Sequence, residues 1–257
     1  MSGTGGHGGA GRSGAVQTRD TATVSTPAGR QVLLVGATQG LGLGLADKYL
    51  REGWQVIATT IVPSPGLDAL LARHGARLRV VPLDITDVAA VRALVDSLRE
   101  ARLDALHVVA GVFQASFDPL WEQPDAEILR LLHTNSIGGI RLAEWLAPRV
   151  AAGGVFAFTS SGMGSMARND KGDVDLYRIS KAALNMLVRS FAARQRGSGR
   201  RVLLLCPGWA KTAMGGPDAT VEVSTSVDGM YRLVIDTPPG ADREALFFEY
   251  SGDVVPW

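Results

Sequence analysis

The chain has 257 residues, 46% of them hydrophobic, enough to enclose one large core. Its 26 basic and 25 acidic residues nearly cancel, so no long-range field favours a nucleic-acid backbone or an anionic membrane, and neither is expected as a partner. One cysteine, Cys206, cannot form an internal disulfide, and four histidines without short paired spacings offer no metal site, a pattern that fits a reducing cytoplasm.

Residues 1–29 are rich in Gly, Ser and Thr and have no apolar signal core; they read as a disordered tail, leaving 30–257 as a single domain. Apolar runs of strand length then recur: QVLLV (31–35), WQVIAT (54–59), LRVVPL (78–83), ALHVV (105–109), VFAFT (155–159), RVLLL (201–205) and ALFF (245–248). They are continuous rather than alternating, as strands buried on both faces must be. Helical segments lie between them at about 41–52, 65–73, 85–101 with Thr86 as N-cap, 124–147 and 174–196, and another precedes the last strand. Residues 150–167 are too interrupted by glycine and serine to span a bilayer. The alternation predicts an α/β fold: a Rossmann-type doubly wound parallel sheet of about seven strands, with its ligand crevice at their carboxyl ends.

Directly after the first strand comes GATQGLG, with Gly36, Gly40 and Gly42, and then a helix. Such a loop lets the backbone turn sharply and approach a pyrophosphate, while the helix amino terminus offers free N–H groups. A plain flexible turn is the competing reading. Further on, LYRISKAALN (176–185) places Tyr177 and Lys181 one helical turn apart on one face, with no acid beside them. A cation near a phenol in a desolvated site favours phenolate, so Tyr177 is expected to be acidified into a general acid/base. A ring-packed tyrosine beside a solvated lysine is the alternative.

The glycine spacing together with Tyr177-x-x-x-Lys181 resembles the short-chain dehydrogenase/reductase family, from about residue 31 to the end. LYRISKAALN, CPGWAKTAMGG (206–216) and FFEYSGDVVPW look most like its C-factor and carbonyl-reductase-like branch. The resemblance implies an NAD(P)(H)-dependent enzyme moving hydride between nicotinamide and a ketone, aldehyde or secondary alcohol. Its catalytic residues would be Asn135, Ser161, Tyr177 and Lys181: Ser161, preceding x-x-G, orients the carbonyl, Lys181 grips the nicotinamide ribose, and Asn135 feeds a water relay. It also implies cofactor contacts from Gly36, Thr38, Gln39, Gly40, Leu41, Gly42, Thr60, Asp84, Ile85, Ala110, Gly111, Tyr177, Lys181, Pro207, Gly208 and Thr212.

The chain departs from the family pattern in three places. Val35 precedes the glycine loop where threonine is usual, VVAG (108–111) replaces N-N-A-G, and IATTIV ends the second strand with neither the acid that binds NAD nor an arginine for NADP. Without the acid, and with Thr59 and Thr60 able to donate, the reading leans to NADP(H). Segment 112–124 and a mobile lid near 214–220 suggest an apolar pocket for a carbonyl or alcohol, or a face for a second subunit in a homo-oligomer. Two other readings stay open: a non-redox isomerase, dehydratase or cyclase using the same tyrosine, and a nucleotide-binding signalling module. A serine hydrolase fits poorly, since no G-x-S-x-G follows a strand.

Overall fold

The computed structural model describes residues 29–113, 118–238 and 245–257. The expected tail, save Gly29, and Gln114 to Phe117 of the apolar segment lie outside them. Seven strands form one parallel sheet: β1 Gln31–Val35, β2 Gln55–Thr60, β3 Leu78–Pro82, β4 Leu103–Val108, β5 Val150–Thr159, β6 Arg201–Cys206 and β7 Leu246–Glu249. Their order is β3-β2-β1-β4-β5-β6-β7, so the direction of winding reverses between β1 and β4. A crevice opens at the carboxyl ends of the strands at such a reversal.

The uninterrupted apolar strands bury both faces. Leu33, Leu106, Phe156 and Phe158 meet Phe191 on one side; Val32, Leu34, Ala105 and Leu203 meet Tyr49 and Met230 on the other. The helices are α1 Gly40–Arg51, α2 Pro65–His74, α3 Val88–Ser97, α4 Asp125–Leu132, α5 Gly138–Leu146, α6 Asp175–Gln195 and α7 Val223–Asp236.

Two helix expectations are corrected. The cap of α3 is Asp87, whose carboxylate accepts from Ala89 N and Ala90 N, and not Thr86; the Thr86 hydroxyl instead donates to Asp84 Oδ1 at 2.7 Å. Asp87 stands one residue closer to the free amides and reaches them first. The helix expected over 124–147 is broken by a π turn, His133–Ile137, between α4 and α5. Wide turns of this kind insert a residue and gather at functional sites. Here the turn buries Asn135 and Ser136 and brings Gly138 so close to β3's following loop that a Cβ would stand 2.7 Å from Ile85 O.

His107 of β4 lies wholly within the core, 3.4 Å through Nδ1 from the Tyr49 hydroxyl and 3.5 Å through Nε2 from Thr159 Oγ1. Burial pushes it down to about 3 from 6.5, so between those values the unfolded chain takes up a proton that the fold refuses. Its contribution to stability is complete above pH 6.5 and declines as pH falls towards 3. Thermal melts from pH 7 to pH 4.5 should therefore show a steeper loss of Tm for the native chain than for His107→Gln, which has no proton to gain. Equal slopes would contradict the assignment.

Candidate active site

The glycine loop is built by contacts that exclude a side chain. Gly36 leaves β1 with φ +89, its N–H donating to Thr59 Oγ1 at 3.0 Å; a Cβ there would lie 2.6 Å from Ala110 N. A Cβ on Gly42 would lie 2.0 Å from Gly36 O, so the first turn of α1 rests directly on the strand end. Gln39 precedes α1 without a side-chain cap, and the first turn carries no acid. The positive end of the helix is thus left facing the crevice. Thr38 and Thr60 hydroxyls meet at 3.0 Å, and Ser64 Oγ donates to Thr38 O at 2.6 Å, closing the loop from the β2 side.

This loop heads a cavity of about 560 Å³ at the carboxyl ends of β1, β4, β5 and β6. Of the residues expected to bind a cofactor, Gly36, Thr38, Gln39, Gly40, Leu41, Gly42, Asp84, Ile85, Ala110, Gly111, Tyr177, Lys181, Pro207 and Thr212 line it. Thr60 and Gly208 do not. Thr60 turns its hydroxyl to Thr38 and Val62 O, and Gly208, at φ +70, packs so tightly that a Cβ would stand 2.7 Å from the Tyr250 ring. Thr59 lines the cavity, and its hydroxyl oxygen accepts from Gly36 N. Arg130 of α4, together with Thr134, Val112 and Met214, joins the wall without having stood out in the sequence. Arg130 is paired with Glu127, and the packing of α4 against α6 is what brings it here.

Tyr177 and Lys181 both stand on α6. The helix begins after Val174, held in the left-handed region at φ 47, and Arg178 Nε donates to Asp173 O at 2.7 Å across that corner. A β-branched residue in this conformation is strained, and such strain collects at functional sites. Tyr177, on the first turn, is partly buried against Phe113, ring centroids 4.8 Å apart and edge to face. Lys181 is 3% exposed, with Nζ donating to Thr159 O at 3.1 Å and lying 5.8 Å from the Tyr177 ring centre. A Cβ on Gly111 would meet Lys181 Nζ and Asn135 Oδ1 each at 3.4 Å, which shows how closely the three converge.

Burial pulls Lys181 down to about 8 and pushes Tyr177 up to about 12, with a Ser161 hydrogen bond drawing the phenol back. This corrects the expectation of a tyrosine acidified by its lysine. Desolvation of the phenol dominates, and the lysine's own charge is disfavoured by the same burial.

Ser161 and Ser160 are separated by their partners. Ser160 lines the cavity but donates its hydroxyl to Asn185 Oδ1 at 2.6 Å, whereas Ser161 does not line it, lies near enough to Tyr177 to draw the phenol's pKa down, and accepts from Met163 N at 3.1 Å. Asn135 uses its whole amide: Oδ1 accepts from Val112 N at 2.7 Å, and Nδ2 donates to Val112 O and to Ser180 Oγ, each at 2.9 Å. Cys206 accepts from Gly162 N at 3.1 Å, and burial raises its thiol to about 11, leaving it unreactive. Among the described residues no cluster of His, Cys, Asp or Glu could hold a metal, and no helix is long and apolar enough to cross a membrane.

The family model for short chain dehydrogenase matches residues 30–222. The C-signal of Myxococcus xanthus is 37% identical over 169 residues, covering 65% of this chain and 100% of that protein. A short-chain dehydrogenase/reductase structure from Burkholderia multivorans with bound NADP superposes with a TM-score of 0.85 at 36% identity, over 89% of this chain and 100% of that one. A carbonyl reductase from Pseudomonas aeruginosa PAO1 in complex with NADP gives 0.81 at 39% identity, over 90% and 100%.

The cradle can be tested directly. Gly42→Ala must push Gly36 O away and open the loop, so dinucleotide affinity, followed by quenching of tryptophan fluorescence, should fall by about tenfold or more. Unchanged affinity would show that the loop does not touch the ligand.

Proposed function

This chain belongs to the short-chain dehydrogenase family, and we propose that within it the protein is a carbonyl reductase that uses NADP(H) in preference to NAD(H). The observation that carries this reading is the convergence of Tyr177 and Lys181 on a cavity headed by the glycine loop, with Ser161 behind the cavity wall and near enough to Tyr177 to hold its phenol's pKa down. The cradle formed by Gly36 and Gly42, which a Cβ would fill, fits a pyrophosphate held by backbone amides. A bound nicotinamide cofactor supplies the hydride.

The chain's own groups manage the proton. The Ser161 hydroxyl donates to the substrate carbonyl oxygen and steadies the charge that gathers there. Tyr177, protonated at neutral pH because burial holds its phenol high, gives its proton to the same oxygen. Lys181, held by Thr159 O, presents a cation below the tyrosine and an N–H donor for ribose hydroxyls. Asn135 fixes the Gly111–Val112 wall beside that cation. Phe113 against Tyr177, with Met214 on the wall, favours an apolar substituent on the carbonyl. The preference for NADP(H) draws support from the missing acid at the end of β2.

Titration with NADPH and NADH, followed by a panel of ketones and aldehydes, tests the reading. NADPH should bind more tightly, and Tyr177→Phe should lower kcat by about 10²–10⁴-fold while sparing cofactor affinity. Turnover without consumption of reduced nicotinamide would overturn it. In the reductive direction kcat/KM for NADPH should decline as pH rises through about 8, where Lys181 of the cofactor-free enzyme loses its proton, and not at the tyrosine's much higher value. A profile flat to pH 10 would contradict that role for Lys181.

A further inference from the structure

The stretch that carries Tyr177 and Lys181 closes on a third polar residue of the same helix face, Asn185, four positions beyond the lysine. It is 4% exposed, and an amide buried among Leu184, Val188 and their neighbours is costly unless both of its ends are bonded. Both are. Oδ1 accepts from Ser160 Oγ at 2.6 Å, and Nδ2 donates to Gly164 O at 2.9 Å. These partners bracket Ser161, one before it and one three residues after.

Gly164 lies flush on α6, where a Cβ would come within 2.9 Å of the Lys181 Cβ, so the bridge is short and the loop is pressed against the helix. Other ties hold the loop at its outer side: Gly162 N to Cys206 Sγ at 3.1 Å, and Ser165 Oγ to Pro256 O at 2.6 Å. Loss of the amide bridge would shift Ser161 without releasing the loop from the fold.

We infer that Asn185 is a positioning residue for Ser161, fixing the serine hydroxyl against Tyr177 by clamping the chain on both sides of it. One helix then sets every group of the reaction: Tyr177 and Lys181 directly, and Ser161 through Asn185. The same bond takes the Ser160 hydroxyl out of the chemistry. The inference rests on the reading of Ser161 as the carbonyl-orienting group.

A double-mutant cycle separates this role from a merely structural one. Asn185→Leu keeps the branched side-chain shape and removes both bonds; it is compared with Ser161→Ala and with the double variant, using the best carbonyl substrate of the panel. Asn185→Leu should lower kcat about tenfold with cofactor affinity changed by less than about twofold, and it should cost nothing further once Ser161 is alanine. An equal loss in both backgrounds, or an undiminished kcat, overturns the inference while leaving the catalytic serine intact. If Ser161→Ala alone keeps full kcat, the serine's catalytic role itself falls, and the inference with it. Should Asn185→Leu fail to fold, Ser160→Ala removes one arm of the clamp. That variant should lower kcat by about threefold or more, again only when Ser161 is present; full activity would overturn the inference.

Discussion

A lysine ammonium is buried in this protein with one backbone carbonyl, Thr159 O, as its hydrogen-bond acceptor and the Tyr177 ring beside it, and no carboxylate among the described residues pairs with it. Burial lowers its pKa from 10.5 to about 8, a differential of about 3 kcal/mol against the charged form. A chain selected for stability alone would place an apolar residue there. The surrounding structure is arranged to tolerate this group at one point: the end of β5 supplies the carbonyl, Gly111 leaves the space above it open, and Asn135 ties down the neighbouring wall.

From that constraint the rest of the site acquires its order. Tyr177 lies one turn before the lysine on α6, so its hydroxyl is carried to the same cavity, and Ser161 is brought to the tyrosine by the loop that α6 holds. The glycine loop approaches from the opposite side, where Gly36 and Ala110 are too close for any side chain between them. The reversal of the sheet between β1 and β4 brings these two halves together. Fold and chemistry meet at strand ends, where backbone groups unused by the sheet are available to a ligand.

The features legible in the sequence were those fixed by local covalent chemistry. Glycines at 36, 40 and 42 mark a backbone that must turn and pack without side chains, continuous apolar runs mark strands covered on both faces, and the Tyr177–Lys181 spacing places both on one side of a helix. What the sequence concealed depends on contacts between distant segments. The π turn at Asn135 leaves the apolar pattern of the flanking helices nearly unchanged, and the contact that accompanies it, Gly138 against the Ile85 carbonyl, involves another element. Arg130 reaches the cavity from α4, which packs against α6, although no arginine stands at the end of β2. The direction of the tyrosine's shift was misjudged for the same reason. Spacing gives the neighbouring charge but not the depth of burial, and burial dominates.

The central claim is that Lys181 is kept charged by the oxygens of a bound dinucleotide. Calorimetric titration with NADPH in buffers of differing ionisation enthalpy, at pH 8, measures the protons taken up on binding. With Lys181 about half protonated in the free protein, binding should draw in about half a proton per cofactor, and Lys181→Met should abolish the uptake. Binding of NADPH with no proton uptake by the native chain would contradict the account.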